Sequence, residues 1–124
     1  MSCFCDYDPP EFYCRSTPKA KKKHYCFECR GIIAAGETYE YVSGKWEGYF
    51  SAFKTCIRCV DLRTWVKNNV PCLCWAHGNL WEDLFDTVED AQRRAGSEAP
   101  GLLFGFYRRR EMISRHNAAT RAAA

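Results

Sequence analysis

At 124 residues the chain is the size of one domain with a modest core. Its 47% hydrophobic content draws heavily on nine cysteines and on Phe, Tyr and Trp. The aliphatic supply is therefore thin, and a disulfide or metal staple would help the fold. The formal charge of +3 excludes little, because four thiolates around Zn²⁺ carry −2 and would leave about +1 with one such site or about −1 with two. No apolar run reaches the length of a membrane span, which argues against a membrane protein. The N-terminus lacks a basic segment followed by an apolar one, so no signal peptide is expected and the expected compartment is the reducing cytoplasm. There, clustered cysteines hold metal more often than they form disulfides.

In chain order, residues 1–18 have no helical or strand period and read as an irregular N-terminal arm, with Cys3 and Cys5 as its pins. Lys19–Lys23 (KAKKK) is a basic run leading into Cys26-x-x-Cys29. Residues 38–42 and 49–53 alternate with period two and predict a β-hairpin, with Ser43-Gly44-Lys45 and Gly48 supplying its turn. A helix is expected from Ile57 to about Asn68, its apolar stripe formed by Cys59, Leu62, Trp65 and Val66, and Val70-Pro71 stops it. A second helix is predicted over 80–95, N-capped by Asn79, with Trp81, Leu84, Phe85 and Val88 inward and Glu82, Asp83, Asp86, Glu89 and Asp90 outward. A third begins near Pro100, with Leu102, Leu103, Phe106 and Ile113 on one side and Arg108, Arg109, Arg110 and Arg115 on the other. Residues 118–124 read as a frayed, disordered tail. The whole is expected to be one zinc-binding α+β domain, with a core over 24–69 and a helical part over 70–117.

The chemistry lies in the cysteines. Cys26-x-x-Cys29 is followed, 26 residues on, by Cys56-x-x-Cys59. Each tight turn aims two sulfurs at one point, and two such pairs complete the tetrahedron that Zn²⁺ prefers. A site closed by four cysteines is structural, since catalytic zinc keeps a position for water. Against this stands the reading of plain buried thiols, which two pairs framing a hairpin make the poorer one. His24, two residues before Cys26, is superfluous to a filled tetrahedron.

A second set is Cys3, Cys5, Cys72 and Cys74, with His77 able to replace one cysteine. It would clamp the N-terminal arm to the body and raise the expected zinc count from one to two. The alternative is that these are isolated core cysteines, and Cys14 stands apart as a buried or free thiol.

The order of knuckle, hairpin and a C-x-x-C entering a helix is a treble-clef arrangement. The stretch KKHYCFECRGIIAAGETYEYVSGKWEGYFSAFKTCIRC resembles small treble-clef or LIM-like fingers of uncharacterised phage and bacterial proteins, built on H-x-C-x-x-C…I-x-x-G-E-x-Y. The resemblance covers about a third of the chain. Where such fingers often place a His in the second ligand pair, this one has Cys56.

Catalysis finds little material. There is no H-x-E to accompany Pro71-Cys72-Leu73-Cys74, no H-E-x-x-H, no G-x-S-x-G and no P-loop, and the hairpin holds no histidine for a finger nuclease. A dithiol redox role would need one C-x-x-C to stand open. The chain is therefore expected to be no enzyme. The leading expectation is a protein-interaction or inhibitor-type factor, with Trp46, Tyr49, Trp75 and Trp81 as candidate contacts. The resemblance implies a phage-encoded, host- or defence-directed setting. The alternative is nucleic-acid binding through the basic segments 15–24 and 108–115, with Lys21, Lys22, Lys23, Arg108, Arg109 and Arg110 on phosphate and hairpin aromatics stacking on bases. Against it, Arg108–Arg110 would be neutralised if they paired with the acidic helix 82–90.

Overall fold

In the computed structural model, residues 9–123 are described. The chain runs β1 (Phe12–Ser16), β2 (His24–Tyr25), β3 (Ile32–Ile33), β4 (Tyr39–Trp46), β5 (Tyr49–Cys56), α1 (Ile57–Asn69), α2 (Leu80–Ala95), a single 3₁₀ turn (Gly96–Glu98) and α3 (Leu102–Ala123). The class is α+β, with a small sheet and three helices. An antiparallel sheet of order β1-β4-β5 and the two-stranded β2-β3 ribbon carry the metal-ligand region. All three helices pack on one another, and α3 also reaches β3. No helix among the described residues is long and apolar enough to cross a membrane.

The hairpin forms as expected, but with longer strands. Its turn is the two-residue Glu47-Gly48, both with positive φ (50° and 83°), a backbone that matches the twist of paired strands. Ser43-Gly44-Lys45 is not a turn but mid-strand. Gly44 serves close approach there: a Cβ would lie 2.6 Å from the Phe12 carbonyl oxygen and from the Trp46 ring.

The arm read as irregular contains β1, which pairs with β4 from Phe12 opposite Lys45 to Ser16 opposite Tyr41. All five β1 residues are exposed, so the strand has no buried face to impose alternation on its sequence. The expected frayed tail is helical through Ala123, in keeping with the helix propensity of its alanines.

The core runs from Ile33, Cys26, Cys56 and Cys59 through Leu62 and Val66 of α1 to Leu80, Leu84 and Val88 of α2 and Phe106 and Ile113 of α3. The C-terminal helices and the cysteine region therefore share one interior. Glu40, only 1% exposed, lies beneath the sheet, where Arg63 of α1 grips both its oxygens and Arg15 of β1 donates to Oε2 at 2.6 Å. This clamp joins two strands to the first helix.

Candidate metal centre

Cys26 follows β2, and the chain turns back so that the Cys26 N–H donates to the Gly31 carbonyl and the Arg30 N–H to that of Cys26. Arg30 takes a left-handed φ of 64° to close the knuckle. Gly31 follows because a Cβ there would strike the Asn117 amide at 2.2 Å. Cys56 ends β5 and caps α1, and Cys59 lies in the first helical turn. The positive end of the helix dipole thus favours thiolate on the second pair.

The four sulfurs lie within 4.8 Å of one another, the one such gathering of ligand atoms among the described residues. Cys26 and Cys59 are 3.9 Å apart, and Cys29 and Cys56 3.7 Å. Tetrahedral ligation at about 2.3 Å per Zn–S bond requires sulfur separations of about 3.8 Å, so the spacing fits. None of the four is in a disulfide.

Four N–H groups point at these sulfurs: Cys29 and Cys56 toward Cys26 Sγ (3.5 and 3.3 Å), Gly31 toward Cys29 Sγ (3.4 Å) and the Trp81 indole toward Cys59 Sγ (3.3 Å). Such donors stabilise thiolate charge and orient metal ligands. Without a cation, sulfurs this close repel one another as thiolates and titrate together. Cys29 is held far below the ordinary thiol range, chiefly by the thiol of Cys26 and then by Cys56 and Cys59. Cys56 and Cys59 are pushed up by their hydrogen bonds to Cys26 and Cys29. A divalent cation would supply the charge that lets all four be thiolates together. The residues fit a tetrahedral ion that takes soft ligands.

Second contacts fasten this centre to the C-terminal helices. The Glu28 carboxylate, between the first two ligands, accepts the Gly78 N–H (2.8 Å) and the Leu80 N–H (3.2 Å) at the start of α2. Burial pushes the Glu28 pKa up, against the pull of those two N–H groups. Asn117 of α3 is buried against Gly31, beside the knuckle that carries Cys29. Glu28, Trp81 and Asn117 were not read from the sequence as parts of the metal site. Trp81 had a signal, since it lies on the inward stripe of its helix.

No family model, no curated protein and no solved structure matches this chain.

The other expected site residues are placed as follows. Cys72 and Cys74 hold their sulfurs 3.8 Å apart, and both are disulfide-bonded, though not to each other at that distance. Cys3 and Cys5 lie outside the described residues, so the second set is described only in part. Cys14 is an exposed free thiol, not a buried one. Of the candidate contacts, Tyr49 is 77% exposed, whereas Trp46 packs edge-on to Phe53 and His77. Arg108 is exposed, but Arg109 lies over the Trp65 ring at 4.1 Å and Arg110 over Tyr107 at 4.9 Å. Among the described residues, neither arginine forms an ion pair with a carboxylate of the acidic helix. The α2 carboxylates Glu89 and Asp90 pair instead with Arg93 and Arg94 of their own helix.

His77 stands among aromatic rings, stacked on Phe53 (4.8 Å between centroids) and edge-on to Trp75 (4.5 Å), with its Nδ1 buried and unpartnered. Burial lowers its pKa from 6.5 to about 4. The unfolded chain therefore binds this proton first, and stability is full above about pH 6.5 and lost as pH falls from there toward 4. Denaturant midpoints measured between pH 7 and pH 5 should fall for the wild type and fall less for His77→Phe. Equal slopes for the two proteins would refute this.

Proposed function

We propose that this chain is a non-catalytic structural-zinc protein, a treble-clef-like finger extended by two helices, that works as a macromolecule-binding module. One observation carries the reading: the cysteine quartet is spent on a closed centre turned inward, while one face of the three-stranded sheet is left open. The knuckle, hairpin and helix order supports the treble-clef comparison, and the four-sulfur geometry supports zinc.

The histidines support the absence of catalysis. His24 Nδ1 is 3.1 Å from Lys54 Nζ, His77 is walled in by rings, and His116 sits on α3 beside Arg58, Asp61 and Arg109. A cation beside His24 and a wall of rings around His77 are poor settings for a general base.

The face away from α1 and the 70–79 segment carries Phe12, Cys14 and Ser16 from β1, Tyr41, Ser43 and Lys45 from β4, and Phe50, Ala52 and Lys54 from β5. Phe12 and Phe50 are 53% and 76% exposed, unusual for large apolar groups unless they meet a partner. A protein-directed factor, in the host-facing setting suggested by phage fingers, and a nucleic-acid binder both need such a surface. The full chain, used as bait in nuclease-treated and untreated lysate, should retain a partner that Phe12→Ser/Phe50→Ser loses. Equal retention by both baits would rule this face out.

A further inference from the structure

We infer that the open sheet face, continued by the Lys21–Lys23 run, binds single-stranded nucleic acid. This rests on the binding-module reading above and names its partner.

The face is organised as a row of stacking groups joined to a row of cations. Phe12, Lys45 and Phe50 stand side by side across β1, β4 and β5, and Lys45 Nζ lies 5.4 Å from the Phe50 ring centre. Four residues further along β5, about 13 Å at the usual strand rise, Lys54 lies opposite Tyr41. Lys54 meets His24 of β2, and through it the chain joins Lys21, Lys22 and Lys23. Lys23 in turn lies over Tyr25, whose ring is 58% exposed. Exposed rings and cations thus follow one another from Tyr25 and Lys23 to Phe50 and Phe12.

Charge decides between partners. The nine face positions of the three strands include no carboxylate. At the hairpin tip, Glu11 pairs with Lys45 at 3.5 Å and accepts the Gly48 N–H, and Glu47 occupies the turn. Lys21, Lys22 and Lys23 are all exposed. A polyanion with flat apolar groups complements this surface. Single-stranded nucleic acid supplies both at regular spacing, because its unpaired bases expose their faces and its backbone carries the charge. Paired bases would hide the faces the rings need. Arg109 and Arg110, laid on rings of the protein itself, are not part of the surface.

The test is fluorescence anisotropy of the full, zinc-loaded chain with labelled mixed-sequence 12-mers of single-stranded DNA and RNA, and with the matching duplex. The single strands should bind more tightly than the duplex. Affinity should fall with salt at a log–log slope of about −2 to −3.5, as expected for three to five phosphate contacts. Phe12→Ala and Phe50→Ala should each weaken binding by about 5- to 150-fold, the range for one lost base stack. Changing Lys21, Lys22 and Lys23 together to Gln should reduce the slope by about 2. Arg108→Gln should change neither quantity. All substituted side chains are exposed, and thermal unfolding of each variant checks that the fold is retained. Binding that is absent at low salt, flat in salt, stronger for the duplex or indifferent to the two phenylalanines overturns the inference. If oligonucleotides fail while the Phe12/Phe50 pair still controls retention of a protein from lysate, the binding-module reading stands and its partner is a protein.

Discussion

Removing the metal from the purified protein, or changing Cys59 to Ser, is expected to abolish the cooperative unfolding transition. Structural zinc contributes about 10–16 kcal/mol to folding in small finger peptides, as much as the whole net stability of an ordinary domain. This chain has little with which to replace it. Its core is short of aliphatics, and three of the four ligands are themselves fully buried core residues. Without the ion, four sulfurs at mutual distances within 4.8 Å repel one another as thiolates and are driven to protonate, and the N–H groups aimed at them lose their thiolate partners. The effect should extend beyond the finger, because Glu28, Trp81 and Asn117 tie α2 and α3 to the same centre. Circular dichroism during a chelator titration, with native mass spectrometry for metal identity and count, measures this. One zinc per chain is the share of the quartet, and a second equivalent at Cys72 and Cys74 would require their disulfides to be reduced. Cys14→Ser, at an exposed free thiol, should behave as wild type. An apo protein with an unchanged melting curve would refute a structural role for the metal.

Glu40→Ala should cost about 3–5 kcal/mol, the range for breaking a buried ion pair from one side. The carboxylate is 1% exposed and Arg63 only 13%, so the substitution strands a guanidinium that is also stacked 4.5 Å over Trp75. Desolvation pushes the Glu40 pKa up, but the hydrogen bonds from Arg63 and Arg15 outweigh it and the net shift is downward. The contribution is therefore present above the ordinary carboxylate pKa of 4.5 and lost as pH falls through the lower folded value. That acid window lies below most of the His77 window, so the two groups separate in a pH series. Glu40→Met/Arg63→Met should recover much of the loss, because the pair is removed together. A single substitution costing under about 1 kcal/mol, as for an exposed pair, would show that the clamp adds nothing.

Residues that act through near neighbours were legible in the sequence. The ligand quartet follows from two C-x-x-C turns, and the hairpin and three helices from period and stop signals. The errors are instructive. Gly44 reads as a turn residue because glycine usually marks one, but here it admits the β1 backbone and the Trp46 ring. Strand β1 has no alternation to read, since it buries neither face and is held by pairing with β4. Arg108–Arg110 suggest a phosphate-binding run, but two of them lie over aromatic rings, one three residues back and one on another helix.

Which four cysteines gather was therefore determined by sequence alone. Spacing and chemistry suffice, because each C-x-x-C is a local turn. Only the tertiary structure decided what surrounds them. Glu28 reaching the start of α2 fifty residues on, Trp81 on Cys59, the Glu40 clamp and the aromatic-basic sheet face all depend on long-range packing. The sequence distance between those partners carries no periodic signal, so nothing local announces them.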